Sequence, residues 1–154
     1  MTAVHSAGSA FPRMPGVAFL CTGNSCRSQM AEGWLRHLHG AHMRAFSAGT
    51  HPTRLNPLAV RAMAEVGVDI SGHTSKSLDA LPMDQVDMVV TVCGDAHDRC
   101  PVVPGKRVIH HGFDDPPRLA VGARGDDEAM PHYRRVRDEI RDFVQKDVPA
   151  LLRA

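Results

Sequence analysis

Two short apolar runs, Gly16-Val-Ala-Phe-Leu-Cys21 and Val86-Asp-Met-Val-Val-Thr-Val92, each run up to a cysteine and then give way to polar turn residues. Neither approaches the roughly 20 residues a membrane span needs. Both are nearly continuous rather than alternating, and the second is rich in β-branched residues, which marks strands buried on both faces. Helical spacing fills the intervals. Met30, Trp34, Leu35 and Leu38 recur along Ser28 to His39, with Gly40 as a stop. Asn56-Pro57 supplies an N-cap and a first-turn proline for a helix through Leu58, Val60, Ala62, Met63 and Val66, ended by Gly67. Tyr133, Val136, Ile140, Phe143 and Val144 mark a C-terminal amphipathic helix, which Pro149 is expected to end or kink. Weaker signals suggest strands over 42–47 and 107–110, and a short helix over 77–81 stopped by Pro82. Gly122 to Asp127 reads as a polar loop. Strands alternating with helices predict a single α/β domain over residues 16–154. It is expected to hold a four-stranded parallel sheet with helices on both faces. Residues 1–15 read as a small-residue, Pro- and Gly-bearing flexible tail, and lack the basic and apolar regions of a signal peptide.

The chain has 154 residues, 43% of them apolar and 23% charged, with a formal net charge of +1. That balance gives no reason to expect nucleic acid or a membrane surface as partner. Four cysteines without an export signal point to reduced thiols in the cytoplasm.

The first strand ends at Cys21 and the first helix begins near Ser28. In open α/β sheets ligands bind beyond the carboxyl ends of strands. The intervening loop, Thr22, Gly23, Asn24, Ser25, Cys26, Arg27 and Ser28, therefore stands where an anion belongs. Its amides and the helix N-terminus are positively polarised. Gly23 and Asn24 tolerate the positive φ such a turn needs. Arg27 can present paired donors to a tetrahedral oxyanion. The same field favours the thiolate of Cys21, an ionised nucleophile beside a bound anion.

Further along, VTVCGDAHDRCPVVPG carries Cys93 and Cys100. Three readings apply to this pair. They are core residues, though DAHDR between them is polar; or zinc ligands with His97, at a spacing longer than zinc cysteines use; or the second and third thiols of a relay. A relay has a definite chemistry. If Cys21 forms an adduct with an oxyanion whose central atom accepts two electrons, a second thiol attacking the Cys21 sulfur releases the reduced product and leaves a disulfide. A third thiol then carries that disulfide outward by exchange. HHGFDDPPRL places Asp114 and Asp115 after the fourth strand, where a carboxylic acid can protonate a leaving oxygen.

The stretch CTGNSCRSQMAEGW resembles the active-site loop of the low-molecular-weight tyrosine phosphatase family, and within it the thioredoxin-coupled arsenate reductases. FSAG, NPLAV, VTVC, GFDDP and RVRDEI extend the resemblance over most of residues 16–144. It implies the phosphatase-like fold and a cytoplasmic enzyme that reduces arsenate, with phosphate or sulfate as mimics of the substrate and thioredoxin as electron donor. By resemblance Cys21 is the nucleophile, Arg27 and the loop amides hold the oxyanion, and Ser28 hydrogen-bonds the Cys21 sulfur. Asn24 stiffens the loop, Cys93 and Cys100 complete the relay, and Asp115, before Pro116, is the acid, with Asp114 the alternate. Cys26 is dispensable. No metal or other cofactor is implied at the reacting centre. Relatives bind potassium through positions matching Asn24, Glu32, Ser47 and an Asp in the segment HTSD. Here that segment reads His73-Thr-Ser-Lys76, so Lys76 is expected to replace the ion and pair with Glu32. Phosphatases of the family place a Tyr after the Asp-Pro; Pro117 stands there, which favours a small inorganic anion. The alternative activity is hydrolysis of small phosphomonoesters.

Overall fold

The computed structural model describes residues 13–93, 103 and 105–154. Four strands form one parallel sheet: β1 (Gly16–Cys21), β2 (Arg44–Gly49), β3 (Met88–Cys93) and β4 (Arg107–Phe113), in the order β2-β1-β3-β4. All six residues of β1 and all six of β3 are buried, because both lie inside the sheet and both faces are covered.

The two faces are covered by unlike means. Val17, Phe19 and Cys21 of β1 and Met88, Val90 and Val92 of β3 pack under the longer helices, α1 (Arg27–His39), α2 (Pro57–Ala64) and α4 (Asp126–Asp142). Met30, Leu35, Met63, Met130 and Ile140 are fully buried there. The opposite residues Ala18, Leu20 and Val89 meet Leu81 and Val86, with Leu78 and Met83 at the margin, from two single 3-10 turns, Leu78–Ala80 and Met83–Gln85.

Helix α2 begins as its sequence predicts. Asn56 Oδ1 accepts from the amides of Leu58 and Ala59 at 2.8 and 3.2 Å, and Pro57 occupies the first helical position. Three expectations are corrected. Strand β2 runs two residues later than expected because its extent follows β1, from Gly16↔Arg44 to Cys21↔Gly49, and not its own weak pattern. The GARGDD stretch is not all loop: Asp126, Asp127 and Glu128 form the first turn of α4, where acidic side chains favour the helix dipole. The C-terminal helix is interrupted ahead of Pro149. A π-helical turn, Phe143–Asp147, separates α4 from α5 (Val148–Arg153), and Pro149 sits in the first turn of α5, where a missing N–H costs little.

Strand β4 reaches Phe113, three residues beyond its sequence signal, because it follows β3 in register as far as Cys93↔Phe113. It is the sheet's edge, and most of its residues are exposed. At the other end of the described chain, Arg13 ties to Asp87 at 2.5 Å; residues 1–12 of the expected tail lie outside the described residues.

Candidate active site

Cys21 and Cys93 are the last residues of neighbouring parallel strands, so they stand at the same end of the sheet. Strict pleating would send them to opposite faces. The register shifts between Thr91 and Cys93, and Cys93 packs in the same buried cluster as Cys21, Cys26 and Val92. Cys21, Cys26 and Cys93 are all buried thiols. Cys100 and His97 lie outside the described residues.

The loop from Cys21 to Arg27 is held from behind. The carbonyls of Cys21, Thr22, Gly23 and Ser25 accept from the amides of Thr50, His51, Thr53 and Asn56, at 3.2, 2.8, 3.0 and 3.0 Å. The Asn24 carbonyl accepts from Gln29 Nε2 at 3.0 Å and Ser75 Oγ at 2.7 Å. Cys26 O accepts from Met30 N as the first turn of α1. With every carbonyl from 21 to 26 engaged outside the loop, the hollow is left to amide N–H groups. That is the polarity an anion needs. Asn24 bends the chain at φ 47°, the only positive φ among the described non-glycine residues.

Side chains extend the frame inward to the sulfur. Ser28 Oγ lies 2.8 Å from Cys21 Sγ. Asn24 Nδ2 donates to Ser28 Oγ at 2.8 Å, which leaves the Ser28 hydroxyl proton for the sulfur, and to Ser47 Oγ at 3.0 Å. Ser47 donates to Glu32 Oε1 at 2.5 Å. Glu32 is buried, with two cations beside it, Arg36 Nη2 at 2.7 Å and Lys76 Nζ at 3.9 Å, and the His73 ring at 3.7 Å. Burial lowers the pKa of His73, opposed by Glu32 and reinforced by Arg36 and Lys76. Lys76 therefore lies beside Glu32, but Arg36 is the nearer partner. The i,i+4 spacing of Glu32 and Arg36 in α1 is the sequence signal that would have found it. The oxygens a potassium ion would seek already have donors: Asn24 Oδ1 accepts from Gln29 Nε2 and the Lys76 amide, and both Glu32 oxygens are engaged.

Arg27, the first residue of α1, is buried. Its Nη1 donates to Phe113 O at 3.1 Å, and its Nε lies 3.7 Å from Asp115 Oδ1. This fixes the guanidinium between the cradle and the segment after β4. Asp114 and Asp115 part company there. Asp114 turns to Arg135 of α4 at 3.0 Å. Asp115 begins the short helix α3 (Pro116–Leu119), with the amide of Arg118 bonded to its carbonyl. A cavity of about 430 Å³ opens between Cys21, Ser25, Cys26 and Arg27 on one side and Asp114, Asp115, Pro117, Arg118 and Leu119 on the other, so both acids line it. Neither Trp34 nor Tyr133 lines it; the Trp34 indole donates to Arg137 O, and the Tyr133 hydroxyl accepts from Asn56. Burial pushes the Cys26 thiol well above its ordinary pKa, helped by Asp115 and Cys21, so it stays protonated within the cradle. A buried sulfur, a ring of amides, a buried arginine and a carboxyl across the gap can bind a tetrahedral oxyanion, attack it and protonate what leaves.

Residues 16–152 match the protein family described as "Low molecular weight phosphotyrosine protein phosphatase". An arsenate reductase of Bacillus subtilis (strain 168) is 52% identical over 131 residues, covering 84% of this chain and 92% of its own. Among solved structures, "An arsenate reductase in the phosphate binding state" superposes with a TM-score of 0.72 at 30% identity, over 89% of this chain and 98% of that one. The Corynebacterium glutamicum thioredoxin-dependent arsenate reductase superposes with a TM-score of 0.61 at 29% identity, over 90% of this chain and 64% of that one.

Proposed function

Because this chain belongs to the low molecular weight phosphotyrosine protein phosphatase family, we propose that its cradle takes arsenate and that thiols reduce it there to arsenite. The observation that carries this reading is the placement of two buried thiols, Cys21 and Cys93, at the ends of adjacent strands and in one cluster. Hydrolysis of an oxyanion ester needs one thiol; reduction needs more.

The Cys21 thiolate attacks arsenic and forms an S–As bond, while Asp115 protonates the departing oxygen, which leaves as water. Cys93 then attacks the Cys21 sulfur. An S–S bond forms, the S–As bond breaks, and its electron pair stays on arsenic, now As(III), released as arsenite. Cys100 attacks the Cys93 sulfur and frees Cys21. A thioredoxin dithiol reduces the Cys93–Cys100 disulfide and restores the enzyme. Two thiols are oxidised for each arsenic reduced. The reaction belongs in the cytosol, where such thiols stay reduced. Among the described residues no helix is long and apolar enough to cross a membrane.

In this reading the loop amides of residues 22–28 and Arg27 hold the oxygens, and Ser28 steadies the Cys21 sulfur. Asn24, Ser47 and Glu32 keep Ser28 in place. Lys76, with Arg36, supplies the positive charge that a potassium ion brings to relatives. The family's own description supports a second reading, hydrolysis of small phosphomonoesters at Cys21.

The test is a Cys93→Ser variant with peptide mass mapping after one arsenate turnover without reductant. The wild-type enzyme should end as a Cys93–Cys100 disulfide and release one arsenite. The variant should release no arsenite while retaining any hydrolysis of a phosphomonoester. Arsenite release by the variant at the wild-type rate would sink the relay.

A further inference from the structure

We propose that Gln29 is a positioning residue for the Cys21 nucleophile. Its side-chain amide holds the Asn24 amide in one orientation, and through Asn24 it directs the Ser28 hydroxyl proton at the Cys21 sulfur. This rests on the reading of Cys21 as nucleophile above and names what keeps its hydrogen-bond donor aligned.

Gln29 follows Ser28 in α1 and is fully buried, as are Asn24, Ser28 and Ser47. Its Nε2 lies 3.0 Å from each of three oxygens, Asn24 O, Asn24 Oδ1 and Thr74 O. Only a donor can face three acceptors, so the amide has one possible orientation. Its Oε1 therefore accepts, and His73 Nδ1, 2.9 Å away, carries the proton. The far side of that ring agrees. Arg36 Nη1, which can only donate, meets His73 Nε2 at 3.0 Å, and Glu32 Oε2 stands 3.7 Å from that nitrogen, beyond hydrogen-bond reach. The same logic runs inward. Asn24 Oδ1 accepts from Gln29 Nε2 and from the Lys76 amide, at 3.0 Å each. Asn24 Nδ2 is thus turned to donate to Ser28 Oγ at 2.8 Å and Ser47 Oγ at 3.0 Å. Ser28 Oγ has then accepted a bond, and its own proton goes to Cys21 Sγ at 2.8 Å. Every donor along Arg36, His73, Gln29, Asn24 and Ser28 points towards the sulfur. A thiolate accepts and cannot donate, so a chain polarised this way supports the nucleophile in its reactive form. The Lys76 amide is a backbone donor that stays when Gln29 is replaced, so loss of Gln29 weakens the alignment without abolishing it.

The experiment follows the rate at which iodoacetamide alkylates Cys21 at pH 7, with the modified cysteine assigned by fragment mass. It compares wild-type protein, Gln29→Met, Ser28→Ala and the double variant. Methionine keeps the length of glutamine and removes its donors and acceptor. Gln29→Met should slow alkylation of Cys21 about fivefold. Ser28→Ala cuts the link from Asn24 to the sulfur, so adding Gln29→Met to it should slow the reaction further by less than about twofold. Equal slowing in both backgrounds would mark a packing role and overturn the proposal, as would wild-type reactivity in Gln29→Met. Gln29→Ala carries the same two expectations should the methionine variant fail to fold. Nitrogen NMR of the wild-type protein tests the direction of the chain with no substitution. At pH 7 His73 should carry a proton on Nδ1; a ring protonated on Nε2 alone would turn the Gln29 amide round and overturn the proposal too. Neither readout needs turnover. A wild-type protein that meets both expectations but fails to reduce arsenate would refute the reductase reading and leave the role of Gln29 standing.

Discussion

Gly49, the last residue of β2, is the tightest point between the sheet and the cradle. A Cβ built on it would lie 2.6 Å from Thr22 O, 2.7 Å from Asn24 N and 3.0 Å from Asn24 Cβ. Two of these three are backbone atoms of the anion loop, so no flexible side chain can yield. The amide of Gly49 is itself bonded to Lys76 O at 2.8 Å, so β2 is not free to retreat either. Gly49→Ala must therefore move the loop by roughly 0.5–1 Å to restore ordinary contact distances. Overpacking of this kind costs about 1–3 kcal/mol, or a Tm lower by about 2–12 °C in a chain of this size. A displacement near 1 Å in the group that orients the anion costs about a hundredfold in kcat/KM. Gly67→Ala is the control. Gly67 has φ 80° and open space around its Cβ position, so its cost is backbone strain of about 1 kcal/mol, remote from the cradle. The assay is kcat/KM for arsenate alongside thermal unfolding. Gly49→Ala should lose far more activity than Gly67→Ala at comparable loss of stability. A folded Gly49→Ala enzyme with wild-type kcat/KM would refute the claim that this contact sets the loop.

Exchange of potassium for tetramethylammonium should leave both rate and Tm unchanged, since Lys76 and Arg36 already face Glu32; strong stimulation by potassium would defeat that assignment. Glu65 answers to pH. Its carboxylate takes two bonds from Arg134, at 2.9 Å each, and one from Arg137 at 3.0 Å, and its pKa falls from 4.5 to about 2. A lowered carboxylate pKa stabilises the fold above pH 4.5, and that contribution is lost as pH falls towards 2. Glu65 is about a third exposed (32%), so solvent screening reduces the effect to about 1 kcal/mol. Thermal unfolding of Glu65→Gln should lie below wild type at pH 7 and converge with it near pH 2; parallel curves across that range would contradict the ion-pair account.

How much was legible in the sequence differs by element. Strands β1 and β3 declared themselves, because strands buried on both faces cannot avoid a continuous apolar run. Strand β4 did so only in part: His110, His111 and Gly112 lie on an exposed edge, where pairing with β3 and not apolar patterning extends the strand. The cradle was readable residue by residue because its chemistry is local: Ser28 Oγ lies beside the Cys21 sulfur and takes a bond from Asn24 Nδ2, all within eight residues. What was missed depends on distant chain. Gly49 has no local mark, since its constraint comes from a loop 25 residues away. Arg118 sits in a helix opened by two prolines, in a stretch that reads as a turn. The lacing of residues 50–56 to the loop carbonyls involves backbone amides, which any sequence would supply.

That lacing fixes the shape of the cup before any guest arrives. Its outward oxygens are already satisfied by the protein, so capture of an anion calls for no rearrangement of the cup's backbone. The ordering entropy of the cup was met when the chain folded, and an entering anion does not have to supply it.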